Sequence, residues 1–580
     1  MSFEKLPNEI ILDLFEYFDG SNLLHAFYGL NSRLNSLLYN QFQSYYFNFN
    51  LISKKRDFDI ICQRHFPYIA NRILKMHLSD NAYAPKQISL FLSYMSSSFN
   101  QLSQLRSLSI GYIGSYTLLM NVIDHCQHLP NLTHLYFYHI HSAGYLEHPN
   151  YKLIINNIWN LPKLIYCKYY ILHGDYVHCY IPQIISSSIK SLYLYSTEFS
   201  LDTIHRIFQY TPCLQHLRIH VSEASEDYKP SPFFSLTSLD IVFKYVSASI
   251  ITSFLENLPN LRCLDIQLSV PHTYELIDGN AWNYGIRNYL PKLKVFRLVM
   301  DAPFFNAENK EQEINELLDS FRSSFWLDEH QWFVGCSASK KNICLETLST
   351  RYKNNLDSSF EFFKTTCPQD NIQIYYNDKA TLNDRIWIYL PIDDQFWSTV
   401  ERFDQVKSLY VYDYNDCFQS QLQTIFNRIS SCLDTLEIRQ DQSLPLQRSL
   451  FECTKNITAY ELDLYMSNPW WGNPLYVGFN KQDCIALCRS SLSTECKILH
   501  ITVENRENIL YLVNNMPKLE ILNVVCKDDK YQDELELWYY TSSQETRPII
   551  DELIDWLKYR LSSAHIMRTT LTDNIIGMWL

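Results

Sequence analysis

The residues whose type and spacing come nearest to metal chemistry are His139 and His141, the Cys126-Gln127-His128 triplet, and Cys484 with Cys488. A structural zinc needs two such pairs converging on one tetrahedron. Each of these lies alone in an apolar stretch, so packing or surface roles are expected and no metal site. No HExxH occurs. The 12 glycines form neither a GxGxxG nor a GxxxxGK[ST] loop, so no helix N-terminus is prepared to cradle a nucleotide. Carboxylates are abundant, but no spacing pairs two of them across a cleft. The expectation is a chain with no catalytic residue and no cofactor, and not an enzyme.

The elements around these residues must then be read for binding. At 580 residues the chain exceeds one ordinary core, which leaves several domains or one elongated array. Hydrophobic residues make up 47% and charged residues 19%, a composition that folds. A formal charge of −13, with no basic run beyond Lys54-Lys55-Arg56, argues against nucleic acid and against an anionic membrane as partner. No stretch reaches transmembrane length and no signal peptide opens the chain. The 16 cysteines contain no CxxC, as expected of reduced thiols in a cytoplasmic or nuclear setting. Asn131 and Asn456 begin glycosylation sequons only formally.

From Leu102 onward one phrase returns: a helical pattern, a turn often marked by proline, then Leu-x-x-Leu-x-Leu. Leu129-Pro-Asn-Leu132 leads to Leu135 and Phe137, Leu161-Pro-Lys-Leu164 to Cys167 and Tyr169, Leu258-Pro-Asn-Leu261 to Leu264 and Ile266, and Met516-Pro-Lys-Leu519 to Leu522 and Val524. Weaker copies begin at Ile73, Ile189, Leu236, Val406, Leu433, Ala459 and Cys496. Between Leu105 and Leu293 the first apolar residues fall 27, 32, 25, 25, 22, 25 and 32 residues apart. This self-similarity marks a leucine-rich-repeat array. Strand alternation turns the last two leucines of each copy inward, and helices such as Ser200 to Tyr210 and Ser249 to Asn257 return the chain. No unit covers its own apolar face, so stacking is obligatory.

The first fifty residues follow another pattern. Pro7 suits the start of a helix on which Ile10, Ile11, Leu14, Phe15 and Phe18 share a face. Asp19-Gly20 stops it; Ser21 is expected to cap a second helix carrying Leu23, Leu24 and Phe27, and Asn31 a third carrying Leu34, Leu37 and Leu38. Three short helices cannot bury all those groups among themselves.

Those helices resemble an F-box, at Leu6, Pro7, Glu9, Ile10, Leu14, Phe15, Phe18, Leu23, Leu24, Arg33 and Leu37, with Leu34 where the family usually carries an aromatic residue. Followed by such repeats, the chain resembles the leucine-rich-repeat class of F-box proteins. The resemblance implies that Leu6, Pro7, Glu9, Ile10, Leu14, Phe15, Phe18, Leu23 and Leu24 dock on a Skp-type adaptor, and through it a cullin. The repeats would then hold a target protein for ubiquitination in the Ubl conjugation pathway. A scaffold without ubiquitination and a sensor with a small ligand on the concave face are the alternatives.

The expected architecture is an α/β leucine-rich-repeat solenoid, a horseshoe, with an N-terminal all-α three-helix F-box. Residues 1–51 form the F-box, 52–300 the first repeat block, 301–401 an irregular insertion, 402–548 the second block and 549–580 a C-terminal cap. In the insertion, Glu308 to Phe325 reads as a helix, and Gln331 to Cys336 and Ile343 to Leu348 as a hairpin, with Phe325, Trp326, Trp332 and Phe333 as a packing patch. The outward strand positions are His134, Tyr136 and Tyr138; Tyr166, Lys168 and Tyr170; Ser191, Tyr193 and Tyr195; and His216, Arg218 and His220, followed by Asp240, Asp265 and Arg297. Tyrosine and arginine dominate interface hot spots. Tyr136, Tyr138, Lys168, Tyr193, Tyr195 and Arg218 are therefore the expected target-binding residues.

Overall fold

The computed structural model describes the chain except residues 1–4, 53, 82–83, 85, 96–98, 114, 142–150, 173–181, 196–198, 226–227, 230, 270–277, 304–309, 339–341, 349–361, 368–384, 391–405, 414–417, 430–431, 441–456, 465–477, 530–550 and 569–574. The second sequon, at Asn456, lies outside the described residues, as do parts of the 301–401 insertion.

Each Leu-x-Leu segment is a strand. Parallel pairing joins β1 (Tyr45–Asn48), β2 (Ile73–Ser79), β3 (Ser107–Gly111), β4 (His134–His141), β5 (Tyr166–Leu172) and β6 (Ser191–Tyr195). It continues through β8 (His216–Glu223), β9 (Ser238–Phe243), β10 (Cys263–Ser269) and β11 (Val295–Pro303), with the two-residue β7 (Phe199–Ser200) beside β8. The sheet is closed off antiparallel by β13 (Asn342–Thr347), β12 (Val334–Ala338) and β14 (Phe362–Thr365), giving 14 strands. The expected hairpin of the insertion thus extends the first sheet, with β14 at its far edge.

A second sheet of eight strands runs from β15 (Arg385–Leu390) through β16 (Ser408–Asp413), β17 (Cys432–Gln440), β18 (Thr458–Leu464), β19 (Ile498–Val503) and β20 (Ile521–Cys526). It ends in the antiparallel pair β22 (Ile575–Trp579) and β21 (His565–Arg568). The molecule is mixed α/β with a large, mostly parallel sheet and many helices, and among the described residues no sheet closes into a barrel.

Alternation explains the layering. Leu192 and Leu194 are buried in the same core as Ile204, Ile207 and Phe208 of the helix Leu201–Tyr210 that follows, while Ser191, Tyr193 and Tyr195 are half-exposed on the opposite face. Ser200 caps that helix by accepting the Thr203 N–H at 3.3 Å. Burying one such leucine or phenylalanine contributes roughly 1.5–3 kcal/mol, so each unit gains only when its neighbour covers it.

The N-terminal helices α1 (Asn8–Phe15), α2 (Gly20–Phe27) and α3 (Ser32–Ser36) form as expected, with one difference in capping. Asn31 caps α3 through the Leu34 N–H at 2.9 Å. For α2 the cap is Asp19 rather than Ser21. Its carboxylate accepts from the Ser21 N–H at 2.8 Å and from the Asn48 N–H at 2.6 Å, so one side chain both starts the helix and ties it to β1. Gly20 is required there, because a Cβ would lie 2.7 Å from the Phe47 ring.

The last strands reach the first elements. After β1 comes α4 (Lys55–Ile60), whose fully buried Phe58 meets the fully buried Trp579 of β22 with ring centroids 6.1 Å apart. Ile498, Ile521 and Trp579 belong to the core of the first sheet. Glu520 sits 3.4 Å from the Lys54 ammonium and 3.7 Å from that of Lys497. A cavity of about 970 Å³ lies at this seam, lined by Tyr28, Tyr39, Arg64, Tyr68 and Leu580 among others. Arg568 fastens β21 to the helix Glu552–Arg560, at 2.6 Å from Asp529 and 2.7 Å from Asp551.

Candidate functional site

Successive strands of the first sheet align without slippage at one position, so nine residues fall in a row: His77, Ser109, Tyr136, Lys168, Tyr193, Arg218, Asp240, Asp265 and Arg297. A second row two residues earlier carries His134, Tyr166, Ser191 and His216. Both rows lie on the face away from the helices, because the residues between them (Leu135, Cys167, Leu192, Leu217) are buried. Strands about 4.8 Å apart set these side chains within contact of one another.

The rings do make contact. Tyr166 stands between Tyr136 and Tyr193, with centroids 4.8 and 5.0 Å away, and His134 stacks on it at 5.6 Å. Burial, then the neighbouring phenols, pushes the Tyr166 hydroxyl above the ordinary tyrosine range. Lys168 and Arg218 both reach the Tyr195 ring, at 5.1 and 4.8 Å from its centroid. Such contacts are worth about 0.5–1 kcal/mol at half-exposed sites.

Further along, two carboxylates lie between two guanidinium groups. Arg218 Nε lies 3.1 Å from Asp240 Oδ2, and Arg297 donates to Asp265 Oδ2 at 3.3 Å. Burial pushes the Asp240 carboxyl up to about 6 against the pull of Arg218. Asp265 is raised for the same reason. Burial, then the charge of Arg218, holds the Lys168 ammonium below the usual lysine range. No carboxylate pairs with Lys168 among the described residues.

Five of the six expected target-binding residues, Tyr136, Lys168, Tyr193, Tyr195 and Arg218, come together on this face. Tyr138 shares the face, in register with Gly111, but stands apart from these five because its ring reaches across Gly111 toward β2. There its hydroxyl hydrogen-bonds His77 and accepts from Asn50 Nδ2 at 3.2 Å. Its ring covers Gly111, where an added Cβ would collide with it. Tyr166 takes the central place instead; its outward strand position was the available signal.

The residues expected to face an adaptor divide between core and surface. Phe15, Leu23 and Leu24 are buried, because α1 and α2 turn that face onto Phe42 and Phe47 of the adjoining segment. Pro7 and Glu9 are exposed, Leu6 and Leu14 partly so. Ile10 at 47%, Phe18 at 37% and neighbouring Leu30 at 63% exposure leave apolar surface in solvent. Arg33 clasps the start of α1, donating to Asn8 Oδ1 at 2.9 Å and to the Leu6 carbonyl at 2.6 Å. Its presence was legible but its task was not.

Among the described residues no three His, Cys, Asp or Glu side chains are grouped as metal ligands would be. Burial pushes the thiols of Cys126 and Cys484 up to about 12 and that of Cys488 to about 11, so in the chain as described they are neutral, unreactive thiols. The side chains of His139 and His141 lie outside the described residues. Phe325 and Trp326 are buried and Trp332 packs 5.5 Å from Phe296, so the aromatic patch of the insertion joins the core. No described helix is long and apolar enough to cross a membrane. Comparison with family models and with curated proteins gave no match.

Proposed function

We propose that this chain is the substrate-recruiting subunit of an SCF-type ubiquitin ligase, an F-box followed by a leucine-rich-repeat solenoid. The observation that carries the reading is the two-sided N-terminal module. Its buried groups pack on β1, while Ile10, Phe18 and Leu30 stay uncovered. Exposed apolar groups on a small helical module are the natural seat of a helical adaptor. The parallel strand-and-helix units support the second half of the reading, since they present two continuous rows of tyrosine and charged residues to a target. In this mechanism the chain supplies proximity: holding target and ubiquitin-charged enzyme on one assembly raises the effective concentration of a target lysine at the reacting thioester. No residue of the chain takes part in the transfer, and no cofactor is needed.

The test is co-purification with a Skp-type adaptor. Ile10→Glu with Phe18→Glu should abolish capture while leaving the circular dichroism of the sheets unchanged. Full capture by this double variant would refute the docking surface.

A further inference from the structure

Resting on the reading above, we infer that the target is recognised through an acidic stretch of its chain, laid across strands β4 to β8 with an oxyanion side chain seated beside Lys168 and Arg218. Three observations converge. First, Lys168 is a half-buried cation whose neighbours are the Tyr195 ring and the like-charged Arg218. An anion entering between Lys168 and Arg218 relieves that repulsion and gains charge-assisted hydrogen bonds at a desolvated spot. Second, the strand starts form a basic rim. Arg106, Lys190, Arg262 and Lys294 occupy one backbone-bonded position on their strands, all exposed and none with a carboxylate at ion-pair distance among the described residues. Third, the charge is unevenly spread. Residues 52–300 hold 21 Lys and Arg against 16 Asp and Glu, in a chain whose formal charge is −13.

An acidic peptide fits these rows better than a nucleic acid does. The Tyr166 ring already stacks on Tyr193 and packs at a tilt against Tyr136, which leaves no opening for bases to intercalate. The basic rim is also interrupted by Thr133, Ile165, Gln215 and Thr237, so it does not track a phosphate backbone. From β4 to β8 is three strand spacings, roughly 14 Å, which an extended peptide crosses in about four or five residues. The rim from β3 to β11 spans about 34 Å, room for roughly ten.

The oxyanion could be carboxylate or phosphate, and the experiment separates them. The full-length chain is titrated against fluorescein-labelled 12-residue peptides, four repeats each of Glu-Ala-Tyr, Gln-Ala-Tyr and phosphoserine-Ala-Tyr, by fluorescence anisotropy at two salt concentrations. Binding of the Glu probe at least tenfold tighter than the Gln probe assigns a carboxylate. Binding of the phosphoserine probe alone assigns a phosphorylated segment. In either case Lys168→Glu should weaken the acidic probe at least tenfold, and Lys168→Met, which keeps the apolar stem on Tyr195, should do so by a smaller factor. Equal binding of the Gln probe overturns the inference, as does indifference to both Lys168 variants or tighter binding of a 12-nucleotide uridine homopolymer. No adaptor is present in this assay, so its failure is separable from failure of the docking surface on Ile10 and Phe18.

Discussion

Replacing Asp240 by asparagine should tighten the binding of an acidic peptide. Asp240 occupies the side of Arg218 that an incoming anion would share, 3.1 Å from Nε, and its side chain is 30% exposed. A peptide carboxylate on the other side of that guanidinium would lie about 6 Å from the Asp240 charge, where the repulsion is about 1–3 kcal/mol at an effective dielectric between water and protein surface. Asp240→Asn removes the repulsion and keeps an oxygen facing Arg218. The Glu-Ala-Tyr probe should therefore bind at least fivefold tighter at pH 7.5. The same carboxyl supplies a pH signature, because burial raises it to about 6. As pH falls from 7.5 to 5.5 Asp240 takes up a proton, Arg218 is released, and wild-type binding should strengthen. Asp265, Arg297 and His220 face the same neighbourhood, so the diagnostic quantity is the difference between wild type and variant, which should shrink toward pH 5.5. Stability should move in step: a raised carboxyl stabilises the fold below its unfolded pKa, and that contribution is lost as pH rises through about 6. The variant should gain on wild type in melting temperature at pH 7.5 and match it near pH 4. Unchanged binding at pH 7.5, or a wild-type-to-variant ratio that does not vary with pH, would refute the electrostatic reasoning.

Other perturbations test the scaffold. Arg568→Met leaves the half-buried Asp529 and Asp551 without their cation and should destabilise the C-terminal end by about 1–3 kcal/mol, read as early proteolytic cleavage near β21. Gly111→Ala must displace the Tyr138 ring, at a cost of about 1–3 kcal/mol in thermal unfolding, without touching Lys168 or Arg218. Phe58→Ala should cost roughly 3–5 kcal/mol; if the seam is a true contact, Trp579→Ala in the same chain should add less than it does alone.

The strand-and-helix units could be read from the sequence because each is specified locally: Leu-x-Leu alternation and a following amphipathic helix lie within about thirty residues. The same locality placed Tyr136, Lys168, Tyr193, Tyr195 and Arg218 on one face. Alternation put Tyr138 on that face too, but its contact with His77 across Gly111 depended on which strands became neighbours, which a single strand's pattern does not reveal. Phe15, Leu23 and Leu24 were legible as an apolar face, but periodicity does not say whether the chain or a partner covers that face. Here Phe42 and Phe47 do. The ion pairs along the row depended on which strands became neighbours, which spacing alone did not reveal.

The meeting of Phe58 with Trp579 has a consequence for the order in which the molecule is made. These residues are 521 positions apart, whereas neighbouring units of the first sheet close over as few as 22 to 32. Closing the longer loop costs about 2.6 kcal/mol more in chain entropy than a typical 27-residue unit, unless the intervening units have already condensed. At roughly 5–20 residues per second, between half a minute and nearly two minutes of synthesis separate the two residues. Phe49 and Tyr94 cover part of Phe58 early, but the side that Trp579 covers stays open while the first sheet assembles. The last hydrophobic contact to form joins one of the first segments made to one of the last, so a premature stop anywhere upstream of β22 leaves an apolar wound on the nascent N-terminal module.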